Sequence, residues 1–144
     1  MSVEAKIRLS PYEMELVTNH DWILTKQAIL NKVHLLFGAI HQSYKCISNN
    51  SEQILPGVDF TKNGKISKGE NYIGLPYVIL DYPALFKKEN VFAIRTMFWW
   101  GNFFSITLHI SGKNMMQNIS IYNLIANIKE TDFFVCVNEN EWQH

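Results

Sequence analysis

From Ser10 to Ile47 the apolar positions recur at intervals of three and four, and from Tyr77 onward they run together or alternate. The first pattern belongs to helices and the second to strands. Ser10-Pro11-Tyr12-Glu13 opens the helical part with a capping Ser, a Pro suited to the first helical position, and a Glu three residues after the Ser. It predicts a short helix ending near Thr18-Asn19. A second helix is predicted from His20-Asp21 to about Ile47, with Trp22, Ile29, Val33, Leu36, Ile40, Tyr44 and Ile47 as one apolar stripe. Gly38 weakens the middle of that helix and is read as a close packing contact.

Asn49 to Leu75 is polar and rich in turn residues. Asn63-Gly64 predicts a hairpin turn there, with arms near Val58–Lys62 and Lys65–Tyr72. Strands follow at Tyr77–Tyr82, stopped by Pro83, and at Val91–Trp100 and Phe103–Ile110, joined by Gly101-Asn102. Met115 to Asn127 fits helix and strand alike, because Met115, Ile119, Tyr122 and Ala126 have helical spacing among several Asn. Asp132–Val137 reads as a final strand and the tail to His144 as frayed.

A two-residue turn at Gly101-Asn102 pairs Trp100 with Phe103, Phe98 with Ser105, Thr96 with Thr107 and Ile94 with His109. A three-residue loop shifts every pair by one. In the first register Val91, Ala93, Arg95, Met97 and Trp99 share a face with Phe104, Ile106, Leu108 and Ile110, which is expected to meet the helices. The opposite face carries Phe98, Trp100 and Phe103 beside Ser105, Thr107 and His109. Those three aromatics are a candidate interface if the 49–75 segment does not cover them. Arg95 on an apolar face needs a partner, and Asp81 is the obvious one. The pair is either structural or, with Tyr82, the floor of a pocket for an anionic small molecule. Arg95 and His109 fall on opposite faces in this register, which disfavours a shared catalytic site.

Composition narrows the classes. Over 144 residues, apolar types make up 47% and charged types 18%, below the average of about 25%. Thirteen basic and thirteen acidic side chains cancel, and no basic stripe of the kind nucleic acids select is present. A neutral chain offers little self-repulsion, so self-association is permitted. Cys46 and Cys136 share no metal or redox spacing and read as buried free thiols. The N-terminus lacks a signal-peptide pattern and no apolar run spans a membrane, so a cytoplasmic location is expected.

Asp59-Phe-Thr-Lys-Asn-Gly-Lys-Ile-Ser-Lys-Gly-Glu70 resembles the calcium loop of EF-hand proteins. Asp59, Thr61, Asn63, Ser67 and Glu70 take its side-chain ligand positions and Gly64 its required Gly. Pro56-Gly57 before it and Gly74-Leu75-Pro76 after it deny it flanking helices, and Lys62, Lys65 and Lys68 oppose a cation. His34 and His41 lie two turns apart on one helix, about 10 Å along its axis, too far for one metal ion. Nucleotide-binding glycine motifs, a nucleophile elbow and a zinc-helix motif are absent, and no cofactor is implied. Gly69–Pro83 followed by Ile94–Gly101 resembles a family of small uncharacterised bacterial proteins, which implies no activity, cofactor or catalytic residue.

The expectation is one α+β domain: a helical part over 10–47, a hairpin-rich loop over 48–75, and a mainly antiparallel sheet over 76–138. Its expected role is a non-catalytic binding or interaction module, homodimeric through the aromatic sheet face. The competing expectation is a small enzyme or anion-binding protein with its pocket at Arg95 and Asp81.

Overall fold

The computed structural model of the chain describes residues 7–48, 58–88, 90–112, 126 and 133–139. Two helices, α1 (Pro11–Thr18) and α2 (His20–Ser48), precede four strands: β1 (Lys65–Tyr72), β2 (Leu75–Lys87), β3 (Asn90–Trp99) and β4 (Phe104–Ser111). The strands form one antiparallel sheet in the order β1-β2-β3-β4, and α2 lies across one face of it, so the fold is α+β.

The predicted cap of α1 is present. Ser10 accepts from the Glu13 backbone and Glu13 accepts from the Ser10 backbone, which satisfies two of the free amides of the first turn. The α1 helix buries no residue. The stripe of α2 that meets the sheet is Leu30, Val33, Phe37, Ile40 and Tyr44, packed on Val78, Leu80 and Tyr82. Leu36 was expected there, but it is 48% exposed while Phe37 is fully buried. One residue turns the helix by 100°, and Leu35-Leu36-Phe37 offers three apolar choices in a row. Gly38 makes no close contact either, since a methyl group added there would meet nothing within 4 Å.

The sheet starts earlier than expected. Lys65–Tyr72 pairs with β2, from Lys65↔Asp81 to Gly69↔Tyr77, rather than folding back on residues 58–62. Gly64 is therefore no hairpin turn, and its amide donates to His41 Nε2 at 3.2 Å. Pro83 does not stop β2, which continues to Lys87 through a register irregularity between Tyr82 and Leu85 and a cis Tyr82–Pro83 peptide. A bulge is where a strand tolerates a residue without an amide donor. Phe133–Val137 forms no strand and Phe134 is 95% exposed. β propensity alone does not make a strand without a partner to pair with. Cys46 and Cys136 are exposed rather than buried. The 115–127 segment lies outside the described residues except for Ala126.

The β3–β4 turn has three residues. Trp99 N donates to Phe103 O and Asn102 N donates to Trp99 O, both at 3.1 Å. Gly101, at φ 73°, is the third residue of the four-residue β-turn Trp99–Asn102, the position where a type II turn needs positive φ. The expected two-residue turn placed it second. Pairing is consequently displaced by one: Phe98↔Phe104, Met97↔Ser105, Thr96↔Ile106, Arg95↔Thr107, Ile94↔Leu108 and Ala93↔His109. Relative to β3, every side chain of β4 changes face.

Candidate functional site

The displaced register gathers the polar chemistry on the sheet face away from α2. Lys65, Asp81, Arg95 and Thr107 lie opposite one another across all four strands. Ser105 and His109 flank Thr107 on the same face of β4, because alternate residues of a strand point the same way. Arg95 and His109 thus share a face, contrary to the expected register, and Arg95 does not point at the helices. Much of this face is closed to solvent: Ala93, Met97, Asp81 and His109 are all buried.

Arg95 grips Asp81 in a bidentate pair, Nε to Oδ1 at 2.8 Å and Nη2 to Oδ2 at 3.0 Å. The two side chains are 12% and 6% exposed, so neither charge is fully solvated. Tyr82 does not join them. It sits on the α2 face, where its hydroxyl donates to Phe60 O at 3.0 Å and lies 3.1 Å from Ser48 Oγ. Tyr44 stacks on its ring and His41 meets it edge-on. Tyr82 thus faces α2 while Asp81 faces away with Arg95, so the two are not brought together. Burial and the charge of Lys45 hold the His41 pKa below its ordinary value, in keeping with a neutral ring whose Nε2 accepts from Gly64.

The three candidate interface aromatics are also separated. Phe98 packs toward the α2 core and meets Trp100 edge-on. Trp100 in turn meets Trp22 at the start of α2, with ring centroids 6.1 Å apart. Phe103 goes to the other side of the hairpin, edge-on to Trp99 at 5.8 Å, and is 51% exposed.

The residues of the calcium-like loop do not converge. Asp59 accepts from the amide and hydroxyl of Thr61, and these bonds are the main reason its pKa is lowered. Ser67 and Glu70 lie in β1, an extended strand rather than a wrapped loop, and Glu70 pairs with Lys26 of α2. Among the described residues no group of three His, Cys, Asp or Glu side chains could hold a metal ion.

Two surfaces remain. One is a groove of about 520 Å³ beside the Arg95–Asp81 pair, where Lys65, Lys87 and Lys88 stand over Phe86 and Val91. The other is apolar and lies on the α2 side. A helix about 10 Å across covers two strands spaced about 4.8 Å apart, and the packed contacts of α2 fall mainly on β2. The edge strand β4 is left largely uncovered, with Phe104, Ile106 and Leu108 at 54%, 71% and 38% exposure. Trp22, Ile29 and Leu36, at seven-residue spacing on one flank of α2, are 46%, 37% and 48% exposed. Trp22 meeting Trp100 places that flank toward the end of β3 and its turn to β4. Together these side chains form an open apolar trough with a sheet floor and a helical wall. Sequence reasoning missed it by assigning Phe104, Ile106 and Leu108 to the core. Its trace in the sequence is that four strands share one long helix. Compared with known proteins, the chain matches no family model, no curated protein and no solved structure.

Proposed function

We propose that the protein is a non-catalytic interaction module that pairs with a second copy of itself through the trough between β4 and α2. The observation that carries this reading is the bare β4 stripe, Phe104, Ile106 and Leu108. At roughly 200 Å² for a fully exposed side chain of this size, those three and Trp22, Ile29 and Leu36 offer about 600 Å² of apolar surface. Patches of about that size are the upper limit on monomers, and a standard interface takes about 800 Å² from each partner. The zero net charge of the chain supports a second copy as the occupant, because two neutral surfaces approach without long-range repulsion. A two-fold arrangement sets the same patch of each copy against the other.

Sedimentation velocity on the full chain tests this, alongside Ile106→Glu. Ile106 is 71% exposed, so the variant keeps its fold and its circular dichroism spectrum. The expected result is a dimer that the substitution converts to monomer. A wild-type monomer at the highest concentration reached, or a dimer untouched by Ile106→Glu, refutes it.

A further inference from the structure

The groove beside Arg95 and Asp81 is separate from the trough, on the other face of the sheet. Its cations come from different parts of the chain: Lys65 from the start of β1, and Lys87 and Lys88 from the end of β2 where the strand turns toward β3. Register explains the meeting. Lys65 lies opposite Asp81, Asp81 lies opposite Arg95, and the β2–β3 hairpin brings Phe86 opposite Val91 on the same face. Among the described residues, Asp81 is the carboxylate that lines the groove, and it is committed to Arg95 through both of its oxygens. That pair is neutral overall, so the three lysines set the sign of the groove. None of the three has an ion-pair partner among the described residues. Asp59 lies within electrostatic reach of Lys87, but its carboxylate is held by Thr61. Phe86, 44% exposed, and its cross-strand partner Val91, buried, give the groove its apolar lining.

We propose that this groove binds a small anion carrying an aromatic or apolar group, an aryl phosphate or aryl carboxylate, with the anion among Lys65, Lys87 and Lys88 and the ring on Phe86. The chemistry calls for both parts. Ammonium groups are compact point charges that attract an anion without fixing its geometry, and an apolar floor adds burial that a bare inorganic ion cannot use. A volume of about 520 Å³ falls in the range of small-molecule sites.

The test is a titration of the full chain followed by amide and side-chain NMR shifts, with phenyl phosphate, inorganic phosphate and benzoate as probes at low ionic strength. Saturable shifts are expected at Lys65, Phe86, Lys87 and Val91, with phenyl phosphate or benzoate binding at least several-fold tighter than inorganic phosphate. Whichever aryl anion is the tighter identifies the headgroup as phosphate or carboxylate, and either supports the proposal. Lys65→Glu and Lys87→Glu should each weaken binding roughly three- to tenfold. Lys32→Glu, which makes the same charge change on the exposed side of α2, should leave it unchanged. All three are surface substitutions, so folding is not in question. The proposal is overturned if shifts rise without saturation, if inorganic phosphate binds as tightly as both aryl anions, or if Lys32→Glu weakens binding as much as Lys65→Glu. None of these outcomes depends on whether the chain dimerises.

Discussion

Replacing Asp81 by Asn removes the charge that faces Arg95 while keeping the shape of the side chain. Both carboxylate oxygens are in use, at 2.8 and 3.0 Å, and Asp81 and Arg95 are 6% and 12% exposed. Asn offers one acceptor and turns an NH2 group toward a guanidinium N–H, so one bond is lost and two donors are opposed. The guanidinium keeps its charge in a site made for a neutral pair. Removing one partner of a buried ion pair costs about 3–5 kcal/mol, and the low end suits a pair that retains some exposure. For 144 residues, an unfolding entropy of about 2.1 cal/mol/K per residue makes each kcal/mol worth ~3 °C. Asp81→Asn should therefore lower Tm by about 10 °C.

The double variant Asp81→Leu/Arg95→Met separates a paired charge from mere packing. If the pair is the reason for the loss, each single substitution leaves one charge without the partner it grips here, and the double removes both charges. The double should then be more stable than the sum of the singles by about 2 kcal/mol or more. Urea unfolding followed by circular dichroism gives the four free energies. Strictly additive singles, or an Asp81→Asn loss below about 1 kcal/mol, would refute a desolvated bidentate pair and place both side chains effectively in water.

Two further outcomes follow from α2. Gly38→Ala should stabilise the protein by about 0.5–1 kcal/mol, because the helix interior disfavours Gly and a methyl group there meets nothing within 4 Å; a lower Tm would show that the position is crowded. His41 should make stability pH-dependent. Its folded pKa is lowered from 6.5, so below that value the unfolded chain binds more protons and stability falls as pH drops toward the lowered folded value. Protonating Nε2 also removes the acceptor of the Gly64 amide. The measurement is the difference in unfolding free energy between wild type and His41→Gln across that window, and a difference that does not change with pH contradicts it.

The helices were readable because their signals are local. The Ser10–Glu13 box and the stop at Asn19 depend on residues within one turn of each other. Two of the features the sequence left open differ by a single residue. Gly101 supplies positive φ equally well as the second or third residue of a turn, and the choice depends on the flanking contacts. Trp99 N bonds to Phe103 O, which closes the ladder one residue before Trp100, while Trp100 N bonds to Pro76 O on the neighbouring strand β2. The apolar run Leu35-Leu36-Phe37 likewise allows several rotations of α2, and the packed sheet selects the one that buries Phe37.

These small choices decide which side chains each face of the sheet presents. Had the turn held two residues, Phe104, Ile106 and Leu108 would lie on the same face as Arg95, and Ser105, Thr107 and His109 would face the helix. With three, the polar residues of β4 line up with Arg95 on the closed face, and its apolar residues project on the α2 side beyond the reach of a single helix. The bare trough and the buried polar row are therefore one consequence of one loop length. An insertion or deletion within Trp100–Asn102 should disturb both together, whereas Ile106→Glu and Lys65→Glu should each disturb only one.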